Sequence, residues 1–167
     1  MSARKTRKAA IAAAALALLG SIASAGTAAA GDFSITFPAG TACTFPLRVD
    51  GTGGHSIEHT FTNKDGTVRV LTTGTGSALT FTNETTGATV SLRSNGAVQR
   101  KTTLADGSTL NVLTGHNVLF LYPTDVPAGP STTLYTGRIV FKATPSSDYT
   151  VLETHGTSRN LCAELTR

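Results

Sequence analysis

The sequence predicts an all-β domain, for three reasons. Apolar and polar residues alternate with a period of two through successive short runs. Turn-forming Gly, Asn and Asp clusters separate those runs at close intervals. Threonine supplies about one residue in six, and its branched β-carbon favours extended backbone. Beyond the N-terminal segment no stretch repeats with the 3.6-residue period of a surface helix.

The N-terminal segment stands apart. Arg4, Lys5, Arg7 and Lys8 precede an apolar run from Ala9 to Leu19, and Ala23-Ser24-Ala25 follows with small residues. Basic start, apolar core and small-residue site form the order of a secretory signal peptide. The core is about eleven residues, short of the roughly 20 that a spanning helix needs. Residues 1–30 are therefore read as a leader, cleaved after Ala25 or, at Ala28-Ala29-Ala30, after Ala30. Residues 31–167 are read as a single secreted, extracellular β-domain that does not insert in the membrane after processing. Four of the chain's 14 Lys and Arg lie in the leader, leaving 10 against 10 Asp and Glu. A near-neutral mature chain lacks the basic stripe that nucleic-acid binding requires, so no nucleic-acid partner is expected.

The strands follow in order. Phe45, Leu47 and Val49 alternate with Thr44, Pro46 and Arg48. Val68 and Val70, Val90 and Leu92, and Leu110 and Val112 then alternate with Thr, Ser, Arg or Asn. Ile139 and Phe141 close the series, flanked by Arg138 and Lys142. Each pattern fits a strand with one buried and one wet face. Asn63 to Gly66, Thr86-Gly87, Asn95-Gly96 and Asp106-Gly107 supply turns. The stretch from Ser56 to Leu113 therefore reads as an antiparallel meander. Within it Thr60-Phe61-Thr62-Asn63 returns as Thr80-Phe81-Thr82-Asn83, two similar hairpins under the same turn rules. Val118-Leu119-Phe120-Leu121-Tyr122 is apolar on both faces, as a strand covered on both sides, or one crossing between sheets, would be. Pro123, Pro127, Gly129 and Pro130 then mark a long, rigid, solvent-facing loop. The expected fold is an antiparallel β-sandwich of about ten short strands, with a closed antiparallel barrel as the alternative.

Cys43 and Cys162 are the only cysteines. In an exported chain they are expected to form a disulfide, closing most of the mature domain into one loop. Without a CxxC spacing they make neither a zinc site nor a redox pair.

Catalytic motifs are scarce. His55-Ser56-Ile57-Glu58-His59 has the HxxEH spelling of inverted zinc peptidases, which works only on a helix. On a strand, His55 and His59 stand about 13 Å apart and Glu58 points away. His59 is then expected beside Ile57 and Phe61 on a partly buried face. His116 and His155 adjoin Gly115 and Gly156 and read as loop or strand-end residues. No GxSxG elbow and no phosphate-binding GxxxxGK[ST] loop occurs, and Gly51-Thr52-Gly53-Gly54 reads as a turn. Glu153 alternates with Val151 and Tyr149 on one expected face, while Tyr122 and Tyr135 offer amphipathic rings. The ligand-site candidates are His59, Tyr122, Tyr135 and Glu153. No metal or cofactor is expected, and no residue is assigned a catalytic role.

Ala42-Cys43-Thr44-Phe45-Pro46, Thr136-Gly137-Arg138-Ile139-Val140-Phe141 and Leu161-Cys162-Ala163-Glu164-Leu165 resemble stretches of small secreted β-proteins of actinobacteria. The resemblance implies export, an all-β domain and a bridge between its ends. It brings no catalytic residues. The function expected is binding or interaction without catalysis, toward an extracellular protein, a glycan or a cell-envelope partner. The alternatives are a small-ligand barrel with cyclase- or isomerase-like chemistry, and an extracellular hydrolase. A cavity above about 300 Å³ with converging polar groups would favour the ligand-holding alternative.

Overall fold

The computed structural model describes residues 26–29 and 32–167. The predicted leader through Ala25, including its first cleavage site, lies outside the described residues. The strands are β1 (Gly26–Ala29), β2 (Phe33–Phe37), β3 (Leu47–Thr52), β4 (His55–Thr62), β5 (Val68–Thr75), β6 (Ala78–Asn83) and β7 (Thr89–Leu92). They continue with β8 (Gly96–Thr103), β9 (Thr109–Leu121), β10 (Ser131–Ala143) and β11 (Tyr149–Asn160), and the helical turn α1 (Leu161–Glu164) follows. Two antiparallel sheets result: a seven-stranded sheet β1-β4-β5-β8-β9-β10-β11 and a four-stranded sheet β2-β3-β6-β7. Among the described residues both keep free edges, so the fold is a sandwich and not a closed barrel. Cleavage after Ala25 would retain β1 along the edge of β4, whereas cleavage after Ala30 would remove it.

Three differences from the sequence reading have physical causes. The last three strands are long, at 13, 13 and 12 residues. Gly115 and Gly156, whose neighbouring histidines read as loop or strand-end residues, lie inside them, as does Gly137. The meander is interrupted, because the β6–β7 hairpin joins the four-stranded sheet before the chain returns as β8 beside β5. The helical turn at the C-terminus is too short to show a period. Asn160 caps it, its Oδ1 accepting from the Ala163 amide at 3.0 Å.

Glycines 74, 115, 137 and 156 form one row across the seven-stranded sheet. The register sets Gly74 opposite Ala97, Ala97 opposite Gly115, Gly115 opposite Gly137, and Gly137 opposite Gly156. At Gly115, Gly137 and Gly156 φ is +99°, +132° and +105°. A β-carbon at Gly137 would overlap the His155 backbone, and one at Gly156 the Thr136 carbonyl. Neighbouring strands therefore approach at these glycines too closely for a β-carbon there.

The row is a crease. β9 would span about 40 Å if straight. Its last residue, Leu121, pairs with Ser131, while its first, Thr109, pairs with Ala143, which pairs with Tyr149. Yet Val126, just beyond Leu121, bridges to Thr150, its amide donating to the Tyr149 carbonyl at 2.8 Å. Five residues reach at most about 18 Å. The sheet must fold back on itself for this contact to exist. Leu113, Leu119, Leu121, Ile139 and Phe141 fill the inner angle as one buried cluster. Asp125, only 3% exposed, fastens the two limbs, accepting from the Tyr122 and Tyr149 amides at 2.6 Å each. The expected solvent-facing loop thus buries its carboxylate while leaving Val126 exposed.

On the outer side of the crease, β9 and β10 turn Val118, Phe120 and Leu134 toward the four-stranded sheet. There they pack with Leu47, Val49, Phe81, Leu161 and Leu165. The doubly apolar stretch of β9 is accordingly covered on both faces. Cys43 and Cys162 are joined, with their Cα atoms 5.6 Å apart. Their bridge lies beside Thr132, a fully buried residue whose Oγ1 donates to the Ala42 carbonyl at 2.9 Å. The twin hairpins end in similar turns but part company at their phenylalanines. Phe81 is fully buried between the sheets, whereas Phe61 is 50% exposed on the outer face of the seven-stranded sheet.

Gly137→Ala is expected to lower stability in urea unfolding by about 1–3 kcal/mol, more than Gly66→Ala at an open hairpin turn. Equal losses would rule out the crease as a special constraint. Replacing both cysteines by alanine closes no loop in the unfolded chain, and the same measurement should show a loss of about 4–5 kcal/mol.

Candidate ligand-binding cleft

The crease also opens a space. Beyond Gly115 and Gly137 the seven-stranded sheet turns away from the four-stranded one, leaving a wedge where the two diverge. A cleft of about 390 Å³ occupies it. One wall is the row of Val118, Leu134 and Arg159 across β9, β10 and β11, with His116 and Thr136 in the next row toward the crease. Leu79 and Leu92, paired across β6 and β7, form the facing wall.

The closed end consists of the two segments by which the chain passes between sheets, around Gly76-Ser77 and Arg93 to Asn95. The Gly76 amide donates to the Asn95 carbonyl at 3.0 Å, and the Ser94 hydroxyl donates to the Gly76 carbonyl. Asn95 Nδ2 donates to the Arg93 carbonyl at 3.1 Å. Ser77 donates to the Gly53 carbonyl at 2.7 Å, and Ser91 pairs with Thr80 at 3.2 Å. These bonds fix the end wall and leave its serines engaged with their own scaffold.

None of the four sequence-derived site candidates lines this cleft. His59 on β4 and Glu153 on β11 share one register row, but five strand spacings, about 24 Å, separate them. His59 is exposed rather than partly buried, its ring 6.5 Å from that of half-exposed Phe61. Tyr135 packs against the inner cluster, and burial raises its hydroxyl pKa. Tyr122 is half-buried at the start of the 122–130 loop. Burial raises its pKa, helped by Tyr149 and Asp125 nearby.

Glu153 does not share a face with Val151. A bulge lets Val140 pair with Glu153 and Phe141 with Val151, skipping Leu152 and reversing the alternation. Glu153 instead meets Arg138 Nη1 at 2.5 Å and His155 Nε2 at 2.5 Å on the exposed face. The Arg138 hydrogen bond, then that of His155, holds its carboxyl below the ordinary glutamate range. His116 and His155 both lie inside strands, beside crease glycines rather than at strand ends. His55 and His59 sit on β4 as the strand reading of the HxxEH stretch requires. Among the described residues no three His, Cys, Asp or Glu side chains gather as metal ligands would. Among the same residues no helix is long and apolar enough to cross a membrane.

Sequence reasoning named none of Arg93, Thr136 and Arg159 as site residues and took His116 for a loop or strand-end residue. The marker of the bend is glycine at matching positions of successive strands, which emerges only once the register is known. Comparison with protein-family models, curated proteins and solved structures finds no match.

The lowered Glu153 carboxyl contributes stability above the ordinary glutamate range. That contribution drains away as pH falls through its folded-state pKa. Urea unfolding at pH 7 and pH 3 should therefore show a larger acid loss in the native protein than in Glu153→Gln. Equal losses would mean the pair with Arg138 does not act in solution.

Proposed function

We propose that this chain is a secreted binding domain that holds a small, partly apolar ligand in the cleft between its two sheets. The cleft carries this reading. Its volume of about 390 Å³ lies within the range of small-molecule sites. Leu79, Leu92, Val118 and Leu134 face one another across it as an apolar band, and polar side chains including Arg93, Asn95, His116 and Thr136 stand beside that band, a lining that holds a ligand body and orients one end of it. The engaged serines and the lack of a lining carboxylate favour holding over hydrolysis. The leader-like N-terminus, the disulfide and the resemblance of the two ends to secreted β-proteins support action outside the cell, where the ligand would be a soluble or envelope-derived molecule.

The test uses 1-octanol, an uncharged probe with an aliphatic body. Titration calorimetry on the processed, disulfide-bonded protein should show one saturable site. Thr136→Trp, which places an indole across the cleft from β10, should abolish it while leaving the urea midpoint near that of the native protein. A saturable site that persists in Thr136→Trp, or no saturable uptake by the native protein, would overturn the cleft as the binding site.

A further inference from the structure

The formal charges lining the cleft are of one sign. Arg93 and Arg159 line it, and no Asp or Glu does. The two arginines differ in what already holds them. Arg159 is engaged twice by Glu164, Nε to Oε1 at 3.0 Å and Nη2 to Oε2 at 2.6 Å. The bidentate pair orients its guanidinium and cancels its charge, leaving its stem to extend the apolar row of Val118 and Leu134. Arg93 has no such partner: among the described residues no carboxylate lies within ion-pair distance of it. It stands on the crossing segment whose backbone is pinned by Asn95 and by the Gly76–Asn95 and Ser94–Gly76 bonds. An arginine on a fixed backbone loses less freedom on binding than one on a mobile loop.

From this arrangement we infer that the cleft takes a small amphiphilic carboxylate, its aliphatic body between Leu79, Leu92, Val118 and Leu134 and its carboxylate on Arg93. The geometry of the lining selects this class. A neutral apolar molecule would leave the Arg93 charge without use, and a dication or zwitterion with an exposed amine would meet no acidic group. A guanidinium offers paired N–H donors that match the two oxygens of a carboxylate. This inference rests on the cleft being the binding site, and its test separates the two claims.

Octanoate and 1-octanol share the same chain and differ at the headgroup. In titration calorimetry at pH 7, octanoate should bind at least about 10-fold more tightly than 1-octanol, the scale of one charge-assisted hydrogen-bonded contact. Arg93→Gln should bring octanoate down to the affinity of 1-octanol and leave 1-octanol unchanged. Arg100→Gln, on the outer face of β8 away from the cleft, should change neither. If 1-octanol binds and octanoate gains nothing over it, the carboxylate inference fails while the cleft reading stands. If the preference survives Arg93→Gln, the assignment to Arg93 is overturned. If neither probe binds, both fail together.

Discussion

Backbone-to-backbone contact at the glycine row is the constraint on which the rest of the molecule depends. Strands of 12 and 13 residues are longer than a small two-layer domain can bury flat. Folding β9, β10 and β11 at one line turns a single sheet into two limbs. The inner angle closes over Leu113, Leu119, Leu121, Ile139 and Phe141. The outer angle faces the four-stranded sheet above the line and leaves it below. Both cores and the cleft between the sheets are consequences of where that line falls. The Asp125 carboxylate and the Val126 bridge hold the fold shut from the loop side.

The bridge between Cys43 and Cys162 acts on a different part of the structure. It ties the segment before β3 to α1, beside the buried core that packs between the sheets. Thr132 joins the two, donating from its side chain to Ala42 and from its amide to Cys162 Sγ at 3.3 Å. The C-terminal turn is thus fastened to the segment before β3 both covalently and through Thr132.

Local pattern made the all-β class, the hairpin turns and the doubly covered stretch of β9 legible in the sequence, because each depends on residues close in the chain. The pairing of the cysteines was legible from their number and the exported context. Strand length and sheet partition were not. Gly115, Gly137 and Gly156 look like ordinary turn residues until their register is known, and register is a long-range property. The same limit hid the cleft. Arg93 and Arg159 are 66 positions apart in the chain, and nothing local connects them. Tyr122, Tyr135 and Glu153 drew notice through residue type, but the bulge at Leu152 and the inner cluster give them structural surroundings. The twin hairpins teach the same lesson, since one phenylalanine is core and its counterpart surface.

The Gly76–Asn95 hydrogen bond has a further meaning. It joins the points where the chain departs from β5 and returns to β8, two strands that are themselves direct neighbours. Residues 77–94 are therefore a loop with adjacent ends, an insertion between strands that would be paired without it. That insertion supplies one whole wall of the cleft, including Leu79, Leu92 and Arg93. The excursion is anchored as well as inserted: within it β6 pairs with β3 and buries Phe81, so one detour of the chain both seals the inter-sheet core and roofs the space beside it.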